Sequence, residues 1–351
     1  MIDSNSSWTS AADAGALTAR VAELVGVGGD PAEVAAATDL VRGKRVLVTG
    51  AGGSIGSELC RQLAGADPSA LLMLDRDETA LQQVQVAVAG HGLLDTPDVV
   101  LADIRDADTI AELLRDRRPD IVFHAAALKH LPMLEQYPGE GWKTNVIGTA
   151  NVLRAAVDAG VETLVNVSTD KAADPSSVLG STKRVGERLT AWYAAESGRH
   201  FVSVRFGNVL GSRGSMVPLF AELMRTGRPV TVTHPDATRY FMSIPDACGL
   251  VVQAVAIAEP GEVLVLDMGA PVRILDVARG MLAMTGSESD IVFSGLRPGE
   301  KLHEELLGGG EIGRRSVHPR IFHTAVPPFD PALLTAPRDP ATAPVFLATA
   351  A

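Results

Sequence analysis

The chain has 351 residues, of which 46% are hydrophobic and 21% charged, and its formal net charge is −11 at pH 7. This composition is typical of a folded globular protein and excludes disordered, collagen-like and coiled-coil chains. The length predicts about two domains. The acidic balance, without any block of five like charges, argues against nucleic acid or an anionic membrane as a partner.

The two cysteines, Cys60 and Cys248, are far apart, and neither has a second cysteine at metal-ligand spacing. We therefore expect no disulfide framework and no metal site, and we predict two buried thiols. The sequence contains no run of about 18 apolar residues, and the polar residues 1–10 do not resemble a signal peptide. The resulting expectation is a cytoplasmic protein without a membrane-spanning helix.

From Arg45 onward, short β-rich apolar runs alternate with longer helical patterns. This alternation is typical of βαβ units, so we predict an α/β fold with a doubly wound, Rossmann-type parallel sheet. The six candidate strands are residues 46–49, 70–74, 99–101, 121–123, 164–167 and 201–204.

The second half of the sequence is less regular, because prolines divide it into short pieces, with helices predicted near residues 246–259 and 273–284. We therefore expect a smaller α/β subdomain that binds the substrate. The predicted organisation is an N-terminal helical appendage, the sheet domain, this subdomain interleaved with late sheet elements, and a C-terminal tail, at residues 1–42, 43–205, 206–327 and 328–351.

A glycine-rich turn joins the first predicted strand to the helical pattern that follows it. Glycines allow a tight turn and a close approach of the backbone to a pyrophosphate, and the helix N-terminus offers free N–H groups. An acidic residue, Asp75, ends the next strand 19 residues after Gly56. This context predicts a bound dinucleotide. The contacts expected from the turn are Gly50, Gly53, Ser54, Ile55 and Gly56.

Three residues around this turn allow two interpretations each. Asp75 is expected to accept hydrogen bonds from ribose hydroxyls and so to favour NAD, whereas the adjacent Arg76 suits the 2′-phosphate of NADP. Asp75 and Asp103 can instead cap helices. Ser54 also fits the nucleophile elbow of hydrolases, but that elbow normally follows several strands and here it follows the first.

The fifth predicted strand runs into Ser168-Thr169-Asp170-Lys171, and a helical segment then presents Lys183. Ionisable groups at the carboxyl ends of parallel strands face the crevice in which ligands bind. Asp170 and Lys171 are therefore predicted to do chemistry. The alternative is a structural salt bridge or a solvated loop.

Seven motifs occur in this order along the chain: Thr49-Gly-x-x-Gly53-x-x-Gly56, His124-Ala-Ala-Ala-Leu-Lys-His130, Ser168-Thr-Asp-Lys171, Lys183-Arg184, Phe206-Gly-Asn-Val-Leu-Gly-Ser212, Thr238-Arg-Tyr-Phe-Met242 and Leu296-Arg-Pro-Gly-Glu-Lys301. Through these motifs, residues from about 40 to 325 resemble one branch of the extended short-chain dehydrogenase/reductases, the CapD-like polysaccharide-biosynthesis branch. The best understood members are UDP-N-acetylglucosamine 4,6-dehydratases of the retaining type. The resemblance implies the same activity, a UDP-sugar substrate, NAD or NADP as cofactor, and a homo-oligomer.

By the same resemblance, each member of the 169–171 motif has a role. Thr169 binds the C4 oxygen of the sugar, Asp170 protonates the departing C6 hydroxyl, and Lys171 removes the C5 proton. Lys183 orients the nicotinamide ribose. Further cofactor contacts are expected from Asp103, Ile104, Ala125 and Ala126, and substrate contacts from Lys129, Asn208, Arg239, Arg297 and Glu300, with the two arginines on the pyrophosphate.

One position departs from most of the superfamily. A tyrosine normally lies four residues before the helical lysine as the acid/base group, but here that residue is Leu179. Retaining dehydratases of this branch commonly have methionine there, so we expect Thr169, Asp170 and Lys171 to carry the proton transfers. Lys171 must then be neutral, and we expect burial, Lys183 and the nicotinamide charge to lower its pKa. Burial of Asp170 favours its protonated form.

Two other functions are left open. A nucleotide-sugar epimerase would use the same transient oxidation at C4 without needing Asp170 as an acid for C6. A non-catalytic dinucleotide-sensing protein would explain Leu179 as a lost catalytic position, although the intact Thr169-Asp170-Lys171 motif argues against it.

Overall fold

The computed structural model describes residues 11–27, 38–314 and 317–334. An eight-stranded sheet organises the chain, with the order β14-β11-β6-β5-β4-β1-β2-β3. All neighbouring strands pair in parallel except β14, which runs antiparallel to β11. The strands are β1 (Arg45–Thr49), β2 (Ala70–Asp75), β3 (Val99–Leu101), β4 (Ile121–His124), β5 (Thr163–Val167), β6 (His200–Arg205), β11 (Glu262–Leu266) and β14 (Ile321–Ala325).

The strand order from β3 to β6 is that of a Rossmann fold, so the predicted fold class is confirmed. All six predicted strands form, and their ends differ from the prediction by at most one residue. These strands were readable because each is a short, buried, β-rich run. Val46 and Val48 pack into one layer and Leu47 into the other, as alternation along a strand requires.

Helices cover both faces of the sheet. One layer contains α3 (Ser54–Ala64), α4 (Glu78–Ala89) and α11 (Ile244–Ile257), and the other contains α5 (Ala107–Arg117), α8 (Thr149–Ala159) and α9 (Val178–Ser197). Between β4 and α8 the chain forms α6 (Leu131–Gln136), α7 (Pro138–Gly141) and a π-helix (Trp142–Gly148).

A smaller layer lies beside the large sheet. It contains three two-stranded pairs, which join β7 (Asn208–Val209) to β10 (Phe241–Met242), β9 (Thr238–Arg239) to β12 (Val272–Arg273), and β8 (Val230–Val232) to β13 (Ile291–Phe293). Its apolar cluster draws side chains from α1 (Ala11–Leu24), α10 (Met216–Arg225) and α12 (Ile274–Thr285). The two helices predicted in the second half are thus α11 and α12.

The first and last parts of the chain are described only in part. The helix α1 packs on the smaller layer through Leu17 and Val21, and the short α2 (Thr38–Val41) precedes β1. Residues 1–10 and 28–37 of the predicted appendage, and residues 335–351 of the predicted tail, lie outside the described residues. In the described part of the chain, no helix has both the length and the apolarity needed to cross a membrane.

The strand order reverses between β1 and β4, and ligands of open α/β sheets bind at such a reversal, beyond the carboxyl ends of the strands. His124 at the end of β4 joins the two strands here. Its Nδ1 lies 2.7 Å from Thr49 Oγ1, and its Nε2 lies 3.0 Å from Thr149 Oγ1. Burial, together with the charge of Lys183, lowers the pKa of His124 to about 3. This histidine is therefore neutral at physiological pH.

Candidate active site

The glycine-rich turn follows β1 and is sterically closed to larger residues. Gly50 has a φ of 69°, and a Cβ there would lie 2.6 Å from Ala126 Cα. A Cβ on Gly56 would clash with the carbonyl oxygen of Gly50. Helix α3 begins at Ser54 without a side-chain cap, so the N–H groups of its first turn, which includes Ile55, are suited to an anion.

The turn opens onto a crevice of about 130 Å³ at the strand reversal. The crevice brings together eight of the residues predicted to bind the cofactor: Gly50, Gly53, Asp75, Arg76, Asp103, Ile104, Ala125 and Ala126. It also contains Thr144, which the sequence did not indicate. Thr144 is buried on the π-helix, and its Oγ1 has no hydrogen-bond partner among the described residues. The sequence carries no signal for a π-helix at this position.

The two aspartates in the crevice do not cap helices. Asp75 Oδ2 accepts a hydrogen bond from the N–H of Gly52 at 2.9 Å, while Asp77 caps α4. Asp103 Oδ2 accepts a hydrogen bond from Arg105 Nη2 at 2.6 Å, while Asp106 caps α5. The capping interpretation of Asp75 and Asp103 was therefore wrong.

Beyond β5, Thr169, Asp170 and Lys171 form one hydrogen-bonded cluster. Thr169 Oγ1 donates to Asp170 Oδ1 at 2.9 Å, and Lys171 Nζ donates to the same oxygen at 3.0 Å. Lys171 Nζ also lies 3.3 Å from Asn208 Oδ1 on β7. The Asp170 carboxylate is fully buried, and its Oδ2 has no hydrogen-bond partner within the described ranges.

A second carboxylate, Glu304, faces the same lysine. Glu304 Oε1 lies 3.7 Å from Lys171 Nζ, and the Glu304 side chain is 3% exposed. Its Oε2 has no partner among the described hydrogen-bonding groups. Sequence reasoning missed Glu304, although it follows the Leu296–Lys301 motif by only three residues. The position of an acidic residue so close to a predicted substrate-binding motif could have indicated that Glu304 belongs to the site.

The expected decrease in the pKa of Lys171 was wrong. Burial lowers this pKa, but the charges of Asp170 and Glu304 and the hydrogen bond to Asp170 outweigh it, so the net shift is upward. The nearby Arg239 only partly opposes these carboxylates. Lys183 behaves differently, because burial lowers its pKa to about 8 while the charge of Glu187 acts in the opposite direction.

The helix that carries Lys183 is held by a buried ionic network. Arg205 binds both oxygens of Glu187 at 2.6 Å, and Ser168 Oγ donates to Glu187 at 2.6 Å. Arg205 also binds Glu311 at 2.7 Å. Although burial raises the pKa of Glu311, the hydrogen bond and charge of Arg205 reverse the shift and bring it to about 2. This network fixes α9 against the ends of β5 and β6.

Leu179 lies on the first turn of α9, one turn before Lys183, and is 6% exposed. It packs in the apolar cluster on this face of the sheet. Its side chain has no atom that can take or give a proton. Any proton transfer at the adjacent crevice must therefore use other groups.

Of the residues predicted to bind the substrate, Asn208 and Arg239 lie near Lys171. The hydrogen bonds described for Lys129, Arg297 and Glu300 are to groups outside the 169–171 cluster. Lys129 Nζ donates to the carbonyl oxygen of Arg213 at 2.7 Å. Arg239 donates to the carbonyl oxygen of Leu302 at 3.2 Å, and its charge also acts on Glu300. Arg297 Nε donates to Glu300 Oε1 at 3.0 Å, and the Arg297 side chain is half-exposed while that of Glu300 is largely buried.

The contacts of Ser54 bear on its interpretation as a hydrolase nucleophile. Ser54 Oγ accepts a hydrogen bond from the backbone N–H of Arg213 at 3.0 Å, which gives no support to a serine nucleophile activated by a base.

Cys60 and Cys248 are both free and buried, as predicted. Within the described residues, no cluster of His, Cys, Asp or Glu side chains is arranged to hold a metal ion.

Comparisons with known proteins place the chain in a family. Residues 46–326 match the family model described as polysaccharide biosynthesis protein. The chain is 45% identical over 288 residues to the probable polysaccharide biosynthesis protein EpsC of Bacillus subtilis, a match that covers 80% of this chain and 48% of EpsC. It is 44% identical over 309 residues to the capsular polysaccharide biosynthesis protein CapD of Staphylococcus aureus. This match covers 86% of this chain and 51% of CapD. The chain thus spans about half the length of these two relatives.

A third relative, a UDP-glucose 4-epimerase of Rickettsia akari, is 33% identical over 77% of this chain and 80% of its own length. Among solved structures, Pen from Bacillus thuringiensis has a TM-score of 0.75 at 31% identity, covering 82% of this chain and 89% of Pen. DesIV, a dTDP-glucose 4,6-dehydratase from Streptomyces venezuelae solved with NAD, has a TM-score of 0.66 at 26% identity. This match covers 75% of this chain and 88% of DesIV. The chain therefore belongs to the polysaccharide biosynthesis protein family and has the fold of the extended short-chain dehydrogenase/reductases.

Proposed function

We propose that the chain is an NAD-dependent nucleotide-sugar 4,6-dehydratase that converts UDP-N-acetylglucosamine, or a close relative, to a 4-keto-6-deoxy sugar. The observation that carries the proposal is the buried cluster of Thr169, Asp170 and Lys171 beside an apolar Leu179. Dehydration needs an acid, a base and a group that binds the C4 oxygen, and the cluster supplies these three. The named activity of DesIV supports the same reaction class.

The crevice fits a dinucleotide. Gly50 and the N-terminus of α3 suit the pyrophosphate, because a Cβ on Gly50 would fill the space next to Ala126. Asp75 would bind the adenosine ribose and Lys183 the nicotinamide ribose. Thr144 offers an unpartnered buried hydroxyl to the same ligand. NAD, when bound, supplies the acceptor that takes hydride from C4 and later returns it to C6.

Oxidation at C4 releases the proton of the C4 hydroxyl, and Leu179 cannot accept it. Thr169 Oγ1 touches Asp170 Oδ1 at 2.9 Å, so it can take the substrate proton while passing its own to the carboxylate. Asp170 then holds the proton that the departing C6 hydroxyl requires. One proton thus moves from O4 to O6 through two neighbouring side chains.

The C4 ketone makes the C5 proton acidic, and Lys171 is the base that removes it. Asp170 protonates the C6 hydroxyl, which leaves as water. Lys171 returns its proton to C5 when C6 receives hydride. Because the Asp170 charge raises the pKa of Lys171, the protonation of Asp170 removes part of that effect and brings the lysine closer to its neutral form.

The UDP group would bind on the side of the smaller layer. Arg239 and Arg297 provide guanidinium groups for the pyrophosphate, and Glu300 orients Arg297 until the substrate arrives. Asn208 and Lys129 border the sugar, since Asn208 already contacts Lys171.

The nucleotide-sugar epimerase is the second candidate, favoured by the name of the Rickettsia relative. It would share the oxidation at C4 but would leave the C5 proton and the C6 hydroxyl in place. A purely dinucleotide-sensing protein would have no use for the unpartnered, buried carboxylate oxygen of Asp170.

Incubation with UDP-N-acetylglucosamine and NAD in deuterated water, read by mass spectrometry, tests the proposal. The expected product has lost one water and carries deuterium at C5. A C4 stereoisomer of unchanged mass would replace the dehydratase with the epimerase. Bound cofactor without reaction on any of several nucleotide sugars would contradict both enzymes.

A further inference from the structure

The proposed reaction leaves one proton without an acceptor. The upward shift in the pKa of Lys171 means that this side chain starts as an ammonium ion. Asp170 receives the proton of the C4 hydroxyl through Thr169, so it cannot also take a proton from Lys171. Lys171 must nevertheless lose a proton before its amine can remove the one at C5.

The residue best placed to accept this proton is Glu304. Its Oε1 lies 3.7 Å from Lys171 Nζ, and both side chains are largely removed from water, with 3% of Glu304 and 17% of Lys171 exposed. The Oε2 atom of Glu304 is buried and has no hydrogen-bond partner in the described part of the chain. A buried carboxylate with an unpartnered oxygen is costly when ionised, and the cost falls when it takes a proton.

We propose, on the basis of the dehydratase function above, that Glu304 is a positioning residue that takes the proton of Lys171 when the C4 ketone forms and returns it after each turnover. Asp170, Lys171 and Glu304 together hold the protons that the reaction releases and later takes up.

The protons balance through the cycle. At rest Lys171 is charged, and Asp170 and Glu304 are ionised. After oxidation at C4, Asp170 carries the O4 proton and Glu304 carries the lysine proton, so the amine is free to take the C5 proton. Loss of water consumes the Asp170 proton, and Lys171 returns its proton to C5. Transfer from Glu304 back to Lys171 restores the resting state with no net gain or loss of protons. In deuterated water Lys171 begins each turnover with solvent deuterons on its ammonium group, so it can return deuterium to C5.

The charged groups that face Lys171 come from three elements. Asp170 lies on the same 3₁₀ turn, Glu304 on the loop after the Leu296–Lys301 motif, and Arg239 on β9. Arg239 lowers the pKa of Lys171, and both carboxylates raise it. Protonation of Asp170 removes the larger of the two carboxylate charges that raise the pKa of Lys171. Transfer of the lysine proton to Glu304 then removes two opposite charges from a buried site, which offsets part of the cost of the transfer.

The test compares Glu304→Gln with Glu305→Gln, which changes an exposed neighbour in the same way. Three quantities are measured on the full chain with NAD and UDP-N-acetylglucosamine: cofactor affinity, the absorbance of reduced cofactor in a single turnover, and deuterium incorporation at C5 from pH 6 to pH 9. Glutamine matches glutamate in size, and the first two quantities report whether the site is intact.

Lys183, whose pKa is about 8, titrates within this range in all three proteins, so their pH profiles are compared with one another. We expect the unchanged protein to keep most of its C5 exchange at pH 6, because Glu304 takes the lysine proton internally. Glu304→Gln should still bind NAD and oxidise C4, but its exchange at pH 6 should fall by roughly 100-fold and recover as the pH rises. In this variant solvent has to take the lysine proton. Glu305→Gln should match the unchanged protein.

An exchange profile of Glu304→Gln that matches the unchanged protein would overturn the role of Glu304 and leave the dehydratase standing. An equal loss at every pH, with loss of C4 oxidation, would also overturn it, because only a structural role remains. If the unchanged protein forms no dehydrated product, the proposed function itself fails, and this inference fails with it.

Discussion

Arg205 and Glu187 form a bidentate ion pair in which both side chains are fully buried. The pair joins the end of β6 to the middle of α9, one turn after Lys183. Ser168, the residue before Thr169, donates to the same carboxylate at 2.6 Å. The position of Lys183 relative to Thr169 is therefore fixed by charges that do not touch the crevice.

Substitution of Arg205 by methionine should destabilise the protein strongly, because Glu187 stays buried and keeps only the longer, 3.6 Å contact to Arg184 as an ion pair among the described residues. We expect Arg205→Met to lower the free energy of unfolding in urea by about 3–5 kcal/mol. Arg61→Met is a suitable control, since it breaks the Arg61–Glu58 pair, in which the arginine is 54% exposed. That change should cost no more than about 0.5 kcal/mol. Similar losses for the two variants would contradict the importance assigned to the buried pair.

His124 predicts a specific response of stability to acid. Its pKa is about 3 in the folded protein against 6.5 for an unperturbed histidine. Below pH 6.5 the unfolded chain gains a proton that the folded protein does not bind, so stability falls as the pH decreases towards 3. Above pH 6.5 both states are neutral and the residue contributes no pH dependence.

The variant His124→Gln isolates this contribution, because glutamine does not titrate and can still bond Thr49 and Thr149. Between pH 7.5 and pH 5, urea unfolding of the original protein should lose about 2 kcal/mol relative to His124→Gln. Parallel pH dependences of the two proteins would show that His124 is protonated in the folded state.

Substitution of Gly56 tests whether the glycine-rich turn binds the cofactor. A Cβ at this position meets the carbonyl of Gly50, a backbone atom that cannot move without opening the turn. Gly56→Ala should cost about 1–3 kcal/mol of stability and abolish detectable NAD binding by calorimetry. Gly15→Ala in α1 provides the control, because a Cβ there meets nothing within 4 Å. It should stabilise the helix by about 0.5–1 kcal/mol. Normal cofactor affinity in Gly56→Ala would remove the turn from the binding site.

The fold could be predicted because its signals are local. Each strand from β1 to β6 is a short, mainly apolar run, and the carboxyl ends of parallel strands meet at one edge in any doubly wound sheet. That topology was enough to predict that Asp75, Asp170 and Lys171 lie at this edge.

The electrostatics of the site could not be predicted in the same way. Glu304 reaches Lys171, and Glu311 reaches Arg205, from a loop that is distant in sequence and carries no periodic pattern. The expected direction of the Lys171 pKa shift was wrong because the charge of Asp170, together with that of Glu304, outweighs burial. Thr144 lies on a π-helix, and no pattern in the sequence predicts a π-helix at this position. Its buried hydroxyl could therefore not be predicted as part of the site.

The geometry of Asp75 predicts a preference for NAD over NADP. Its carboxylate is held in the crevice by the N–H of Gly52 at 2.9 Å, where a 2′-phosphate would meet a like charge. We expect NADP to bind at least about tenfold more weakly than NAD, and Asp75→Asn to reduce that difference. Fluorescence titration of both cofactors provides the measurement. Equal affinities would show that Arg76, which is 3.7 Å from Asp103, turns towards the phosphate instead.

Two substitutions separate the steps assigned to the catalytic cluster. Lys171→Met should oxidise C4 and accumulate reduced cofactor, but without deuterium at C5, since no base remains. Asp170→Asn should form neither reduced cofactor nor exchanged substrate, because the proton leaving O4 through Thr169 has no acceptor. Dehydration should fall by at least roughly 100-fold in both. Stopped-flow absorbance and mass spectrometry in deuterated water measure the two steps, with Asp174→Asn, an exposed neighbour, as the control. Rapid formation of reduced cofactor in Asp170→Asn would show that the O4 proton leaves by another route.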